Sequence, residues 1–504
     1  MQTSFTTLPP EILLKIVSLL ELHDVARIRQ SCKRLQEIAQ DKSIWGSLLA
    51  NQRSNYPIPP WLDFSKSPAS LRSISQVDLE RAVVTIQRVA RAWRRKRPTP
   101  LRVQPRLGDM LLTLEMFLDR WLLVVYAEGL ICLWDTASKS MLPLGTSGTT
   151  SRAKFCARLV DENEDRQTRW TSCAAQLSDD SQKLVILCNI DPLPTPSCRV
   201  YEISLKANAS SKLIATVRLP EQEIIRAISF TDKMLILSRG SAINFVDINN
   251  KPRRNLTWNA AIDIRMFSRH IFVFKSRSIE VHDMDSLIGS SQREFTAIPI
   301  AKHFFQNTTY REVKFSDSSI STGEQLDISF QAFAYDVLQG LFNYSIHFQA
   351  RPDHPPDFTV ALVNIYPLAS HVVPQFSHLL PSDVNLLTPS PTPVDTVRRA
   401  FRPTNPSSRG FISAYTIGSQ AKRAVWAERV RGSTLREIQV WDRSETVNVD
   451  GDFQQPGEIE RIPVHSLPSP DLREDITRCA LSESTGLIVL GNRAGELFLL
   501  DVDL

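Results

Sequence analysis

The chain has 504 residues, of which 42% are hydrophobic and 22% are charged, a composition typical of globular domains and outside the range of disordered chains. Its length exceeds the roughly 100–200 residues of one ordinary domain, so we expect two or more units. The net charge of +5 is concentrated near the start, because residues 1–100 carry 16 Lys and Arg against 8 Asp and Glu and the rest of the chain sums to −3. This distribution argues against a nucleic-acid partner for the bulk of the chain.

The sequence also argues against a membrane partner and against catalysis. No stretch reaches the roughly 18 uncharged apolar residues of a membrane helix, and the seven scattered cysteines do not suit a zinc site or a disulfide framework. Nucleophile elbows, P-loops and metalloprotease motifs do not occur, and the nine histidines lack metal-ligand spacing. We therefore expect no catalytic residue, metal or cofactor, and a cytoplasmic or nuclear location. The pair His282–Asp283 is interpreted as part of a surface strand.

Residues 8–50 predict short amphipathic helices. Pro9 and Pro10 can open a helix because their missing N–H groups need no partner in its first turn. Apolar residues then recur at helical spacing, as at Ile12, Ile16 and Leu20,. About forty residues of short helices bury little apolar surface alone, so we expect part of this surface to bind a partner.

Residues 51–99 predict a linker that contains one amphipathic helix at 76–96, ended by Pro98,. Three interpretations of this basic helix stay open. Its apolar stripe, which ends at Trp93, favours a linker helix packed against its neighbours. The second interpretation is a calmodulin-type IQ site, with the pattern residues Ile86, Gln87, Arg91 and Lys96,. The third is a nuclear import signal in residues 94–97.

From about residue 100 the pattern changes to short alternating strands that close on an acidic residue. Six such segments are marked by Asp135, Glu202, Asp247, Asp283, Asp442 and Asp501. A gap of 159 residues between Asp283 and Asp442 has room for another unit, and residues 326–349 predict a strand pair inside it. Multi-stranded repeats of roughly 40–50 residues are typical of propeller blades. We expect seven blades, within a range of six to eight, and a Pro- and Ser/Thr-rich excursion at 378–410.

The ordered features of residues 8–49 resemble an F-box. They comprise Leu8-Pro9-x-Glu11, an apolar helix, Asp24-Val25, Cys32-x-x-Leu35 and a closing Trp45. An F-box followed by a propeller is the architecture of F-box/WD-repeat proteins, and the chain looks most like their large fungal groups. The resemblance implies an α+β multidomain chain, with an all-α F-box at 1–50, a linker with its helix at 51–99 and an all-β propeller at 100–504. The propeller is degenerate, since Gly-His is absent and Trp-Asp occurs only at 134–135 and 441–442.

The resemblance also implies a function. The F-box would bind a Skp-type adaptor of a cullin–RING ubiquitin ligase, and the propeller would bind a protein substrate for ubiquitination. On the matching positions, the adaptor-facing surface and the core behind it comprise Leu8, Pro9, Ile12, Ile16, Leu20, Val25, Ile28 and Leu35. Two alternatives remain. One is a non-ligase scaffold whose IQ helix binds a calmodulin-like protein, and the other is a propeller hydrolase.

Overall fold

The computed structural model describes residues 8–62, 74–97, 100–102, 108–136, 142–143, 150–151, 154–159, 169–178, 183–191, 197–205, 211–218, 224–229, 234–239, 242–247, 254–257, 261–267, 269–284, 294–295, 298–317, 319–322, 326–351, 354–368, 410–429, 434–443, 462–469 and 471–502. The excursion expected at 378–410 lies outside these residues, apart from Gly410. Among the described helices, none is both long enough and apolar enough to cross a membrane.

The N-terminal part is helical. Its α-helices are α1 Pro10–Ser18, α2 Leu22–Ser31, α3 Lys33–Ala39, α4 Lys42–Arg53 and α5 Gln76–Ala92, with a 3₁₀ turn at Pro60–Leu62. Proline opens α1, as expected for a first turn whose N–H groups have no intrahelical partner. The side chains of Asp41 and Ser75 accept hydrogen bonds from the backbone at the starts of α4 and α5, which satisfies free donors there.

Helix α5 completes the core of the four shorter helices. Trp45 and Leu48 of α4 share one apolar cluster with Leu79, Val83 and Ile86 of α5. Full burial of such a side chain contributes about 1.5–3 kcal/mol. The linker helix is therefore part of the helical unit, and it covers apolar surface that α1–α4 alone leave open.

Within the described residues seven sheets follow, five with four strands and two with five, and all of their strand pairs but one are antiparallel. The first blade comprises β2 Leu111–Phe117, β3 Trp121–Tyr126, β4 Ile131–Asp135 and β7 Lys154–Leu159. The second comprises β8 Arg169–Leu177, β9 Lys183–Asp191, β10 Ser197–Ser204 and β11 Ser211–Arg218. The third comprises β12 Ile224–Ser229, β13 Met234–Arg239, β14 Ala242–Asp247 and β15 Arg254–Thr257, joined by β19 Glu294–Phe295. A short hairpin, β5 Leu142–Pro143 and β6 Thr150–Ser151, lies between β4 and β7 in the chain.

The other four blades follow in chain order. The fourth comprises β16 Ala261–Phe267, β17 His270–Lys275, β18 Ser278–Asp283 and β20 Ala301–Phe304, and the fifth comprises β21 Tyr310–Phe315, β23 Leu326–Asp336, β24 Gly340–Ala350 and β25 Asp357–Pro367, with β22 Ser319–Thr322 beside β23. The sixth comprises β26 Phe411–Ile417, β27 Arg423–Arg429, β28 Leu435–Asp442 and β29 Ile462–Pro468. The seventh comprises β30 Ile476–Ser482, β31 Leu487–Asn492, β32 Leu497–Leu500 and β1 Leu101–Arg102.

The sheets form a closed ring. Each innermost strand contacts the innermost strands of both neighbours, in the order β2, β8, β12, β16, β21, β26, β30 and back to β2. The seventh blade joins the first strand of the chain to the last three, because Leu101 pairs with Leu499 and Arg102 with Phe498. The chain thus forms a seven-bladed propeller whose ring closes without a free sheet edge between its ends.

The acid-marked segments are the third strands of six blades. The marking acids lie in β4, β10, β14, β18 and β28 and directly after β32, and the strand pair expected at 326–349 is β23 with β24 of the remaining blade. Asp135 shows what such an acid does, since both of its carboxylate oxygens accept from Arg120, at 2.9 and 2.8 Å. Arg120 lies in the turn between the first and second strands, so this ion pair ties that turn to the third strand.

Candidate functional site

An apolar stripe runs along the outer side of α1. Pro9, Ile12, Ile16 and Leu19 follow one another at spacings of three and four, which places them on one helix face. Ile12 is 47% exposed and Leu19 is 79% exposed, whereas Leu13 between them is buried. The stripe has the chemistry of a surface that binds an apolar partner. We call these four residues the α1 stripe.

The eight residues expected at the adaptor surface divide between solvent and core. Pro9 and Ile12 are exposed, Leu8, Ile16, Leu20 and Ile28 are half-buried, and Val25 and Leu35 are buried. Leu19 was not among the eight residues expected at the adaptor surface, although its spacing of seven residues from Ile12 places it on the same helix face.

The apolar stripe of α5 continues from the helical core into the propeller. Ile86 is 1% exposed and packs in the helical cluster, while Trp93 is fully buried among strands of the last two blades. Val89, one turn after Ile86, lies against the turn at Gly486. Of the three interpretations of the basic helix, the structure therefore agrees with a linker helix packed against its neighbours.

The indole ring of Trp93 makes one hydrogen bond and two cation–π contacts with the residues around it. Its indole N–H donates to the carbonyl oxygen of Trp441 at 3.1 Å. The guanidinium carbons of Arg97 and Arg423 each lie 4.9 Å from its ring centroid. Cations over an indole face are attracted by the ring quadrupole, and the attraction is strongest when they are desolvated, as both arginines are here,.

The expected helix at 76–96 was too long, because α5 ends at Ala92. Beyond Trp93 the chain is drawn into the propeller by Arg97. Its backbone N–H donates to Val464 at 2.7 Å, and its guanidinium donates to the carbonyl oxygens of Gly486 and Leu500 at 2.8 Å each. Burial lowers the pKa of Arg97 to about 9, although the nearby Asp501 opposes the shift.

The residues of the IQ pattern do not share one environment. Gln87 is half-buried, Arg91 and Lys96 are exposed, and Ile86 lies in the helical core. A calmodulin-like lobe that gripped Ile86 would have to remove it from that core. The basic cluster at 94–97 is also divided, since Arg97 is buried and the three residues before it are exposed.

A second attachment, which the sequence did not predict, joins the helical unit to the sixth blade. The Nζ atom of Lys422 donates to the carbonyl oxygens of Arg53 and, at 2.7 Å, Tyr56. The amide of Gln420 accepts from the backbone N–H of Ile58 at 2.9 Å and donates to the carbonyl oxygen of the same residue. Both side chains belong to the turn between β26 and β27.

The carboxylate of Glu483, in the turn after β30, holds the turn of the sixth blade. It accepts from the backbone N–H groups of Gln420, Lys422 and Arg423 at 2.5–2.8 Å. The backbone N–H of Glu483 in turn donates to Asp119, at 2.8 Å. Burial, followed by the charge of Asp119, raises the pKa of Glu483 to about 7.

The innermost strands enclose a central channel of about 470 Å³. Its wall carries charges of both signs, among them Glu115, Asp263, Arg265, Glu312, Lys314 and Arg478. Burial raises the pKa of Glu115, and the nearby Lys314 and Arg265 oppose this shift. The channel has the volume of a ligand pocket and a polar, charged lining.

His282 corrects one expectation, since it is fully buried and does not lie on a surface strand. Its Nε2 atom lies 3.5 Å from Glu280, whose carboxylate also pairs with Lys275 at 2.6 Å and Lys302 at 2.7 Å. Burial disfavours the Glu280 carboxylate, yet hydrogen bonds from His282 and the two lysines hold its pKa below the usual range. Asp283 follows on the alternate side of the strand. The buried partner of His282 is therefore Glu280.

The comparisons with known proteins concern both parts of the chain. Residues 5–50 match the F-box-like family model. Among solved structures, the C-terminal WD40 domain of Sif2 is 8% identical with a TM-score of 0.39, over 81% of this chain and 98% of that one. Hydrazine synthase of Kuenenia stuttgartiensis is 11% identical with a TM-score of 0.38, over 79% and 97%. No curated protein matches the chain.

The strand order within the sheets and the closure of their ring identify the second part of the chain as a propeller. Each blade is built on four antiparallel strands, two blades carry one further strand, and the last blade combines both ends of the propeller chain. The family match covers α1, α2, α3 and most of α4, and it ends before α5. The chain therefore combines an N-terminal segment, residues 5–50, that is similar to the F-box-like family with a C-terminal β-propeller.

Proposed function

We propose that this protein is the substrate-recognition subunit of an SCF-type cullin–RING ubiquitin ligase. The F-box would bind a Skp-type adaptor, and the propeller would bind the protein to be ubiquitinated. The observation that carries the proposal is the α1 stripe, which stays uncovered while the same helical unit is fixed to the propeller by α5. A surface of this kind suits helix-on-helix docking to another protein.

The two ends of the propeller suggest where a substrate binds. The helical unit attaches at turns between first and second strands, namely the turn that carries Lys422 and the one at Gly486. The opposite end, which we call the open face, is formed by the starts of the innermost strands and the turns between second and third strands. Large apolar side chains are exposed there, at Met110, Leu338 and Leu472. We place substrate binding on this open face.

In this role the chain supplies no reacting group. Ubiquitin transfer would be promoted by proximity, because adaptor and substrate are held at opposite ends of one fixed body. Proximity and orientation alone can supply a large part of a rate enhancement. The partners that the proposal requires are an adaptor with the cullin–RING core at the α1 stripe and a protein substrate at the open face.

The experiment replaces exposed apolar residues of the α1 stripe. We expect the double variant Ile12→Asp, Leu19→Asp to lose co-purification of the adaptor and cullin in an affinity pull-down, because a charge in the centre of an apolar interface is left without a partner. The matched control is Val77→Asp, since Val77 is 58% exposed on α5, outside the stripe. Unchanged circular dichroism and thermal melting would show that both variants fold.

The results separate clearly. Adaptor and cullin peptides that disappear only in the stripe variant support the proposal. Equal recovery from the stripe variant and the control would overturn it, as would the absence of both proteins from the wild-type pull-down. Replacing Leu8, Pro9 and Ile12 together by Ala tests the other end of the same surface, and we expect it to abolish adaptor binding as well.

A further inference from the structure

We infer that the turn at residues 418–422 is a positioning latch, which fixes the orientation of the F-box relative to the propeller independently of helix α5. Its consequence for ubiquitin transfer rests on the proposed function, whereas its effect on orientation does not. The latch consists of Lys422 and Gln420 on the propeller and the segment 53–58 on the F-box side. Glu483 forms its base.

A single helix does not fix an orientation by itself. The C-terminal end of α5 is held in the propeller by Val89, Trp93 and Arg97. Attachments confined to this one end of the helix would leave tilting and bending of the helical unit about it. The latch attaches a different part of the helical unit, the chain that leaves α4. With two attachments that are separate along the chain, both motions are restricted.

Lys422 acts as a cap for α4. Arg53 is the last residue of that helix, and carbonyl groups in a last helical turn have no intrahelical partner. The ammonium group of Lys422 supplies hydrogen bonds to Arg53 and Tyr56, and a cation at a helix C-terminus is also favoured by the helix dipole. The contact is therefore specific for the end of α4.

Burial makes Lys422 depend on these partners. The residue is 8% exposed, and a buried ammonium group is costly unless it is hydrogen-bonded. Burial lowers the pKa of Lys422 to about 8, with Glu483 opposing the shift and Arg443 and Arg53 adding to it. Undocking of the F-box segment would leave the two carbonyl groups and the ammonium to find new partners in water.

The contact made by Gln420 depends on the orientation of the bound segment. Its amide uses both an acceptor and a donor on the backbone of Ile58, so it reads the N–H and the C=O of one residue together. This two-point contact is lost when the segment turns or slides, because the donor and acceptor then no longer face their partners.

The base of the latch extends over three blades. Glu483 of the seventh blade holds the turn of the sixth through three backbone N–H groups. Asp119 of the first blade accepts from the backbone N–H groups of Glu483 and Ser484, at 2.8 and 2.9 Å. Arg423 adds a hydrogen bond to the carbonyl oxygen of Glu483, at 2.7 Å. Movement of the turn would disturb all of these bonds, so the turn that contacts residues 53–58 is held rigidly.

The test measures the distance between the two parts directly. Spin labels on unnatural amino acids at Glu37 and Arg473, which are both exposed, report the separation of the F-box from the open face in the full-length protein. We expect Lys422→Met and Gln420→Ala to broaden this distance distribution, and the two changes together to broaden it further. The control is Lys96→Met, which removes an exposed cation beside the same joint.

The variants should change orientation without changing binding. We expect adaptor affinity to stay at the wild-type value and ubiquitin transfer to bound substrate to slow by about tenfold, since misplacement of reacting groups lowers the rate of the chemical step. Expressed as kinetic constants, kcat falls while KM is preserved. Gln420→Ala is the decisive variant if Lys422→Met disturbs the propeller, because the side chain of Gln420 reaches only Ile58 in the hydrogen bonds above.

The outcomes distinguish the latch from the ligase role. Distance distributions that stay as narrow as wild type in both latch variants overturn the inference, whatever the partners of the protein are. Broadened distributions in the latch variants and a wild-type distribution in Lys96→Met support it. Broadening together with a pull-down that lacks adaptor and cullin leaves the latch in place and removes the proposed function.

Discussion

Removal of Trp93 tests how strongly α5 is anchored in the propeller. Trp93 is fully buried, and truncation of a buried Trp to Ala costs about 3–5 kcal/mol. The change also leaves the carbonyl oxygen of Trp441 without its donor, at about 1–3 kcal/mol, and removes the ring that Arg97 and Arg423 contact. These contributions overlap, so we expect Trp93→Ala to weaken the anchorage by about 4 kcal/mol, which corresponds to about a thousandfold change in the equilibrium.

Hydrogen exchange followed by mass spectrometry measures this anchorage. The amides of α5 exchange when the helix opens locally, so weaker anchorage appears as faster exchange of residues 76–92. The control Trp93→Phe keeps an aromatic ring but loses the N–H, and we expect a loss of about 1.5 kcal/mol, or about tenfold faster exchange. An increase of the exchange rate below about threefold in Trp93→Ala would refute the reasoning, because it would mean that the packing of Trp93 contributes little to the anchorage of α5.

Two further predictions concern stability. Because the pKa of Glu483 is raised to about 7, the folded state holds a proton that the unfolded chain releases at lower pH, so this residue makes stability fall as pH rises from about 4.5 to 7. Chemical denaturation at a series of pH values should show a shallower fall in Glu483→Gln, and an identical slope would contradict the assignment. Gly340 has φ +125° and a Cβ there would collide with the carbonyl oxygen of Tyr366, so Gly340→Ala should cost about 3 kcal/mol or more. Gly46→Ala is its control, since Gly46 lies in α4 with no atom within 4 Å of an added Cβ, and it should stabilise by about 0.5–1 kcal/mol.

Most of the architecture could be predicted because its signals are local. The third strand β28 carries alternating apolar residues, the third strand β4 carries a continuous apolar run, and both close on an acid. These patterns need no knowledge of the partner strand. The helical stripe of α5 was readable for the same reason. The end of α5 and the burial of His282 were predicted wrongly, because the hydrogen bond between Arg97 and Val464 and the packing of the chain around His282 override the local pattern there.

The joint between the two parts depends on contacts that no local pattern contains. Lys422 meets Arg53 across 369 residues of chain, and Arg97 meets Leu500 across 403. The second contact exists only once the ring has closed, because closure pairs Leu101 with Leu499 and thereby brings Arg97 beside the last strand. The C-terminal end of α5 is therefore placed by the same step that completes the seventh blade. A change that opens this blade should also release α5, so the orientation of the F-box depends on the integrity of the whole ring.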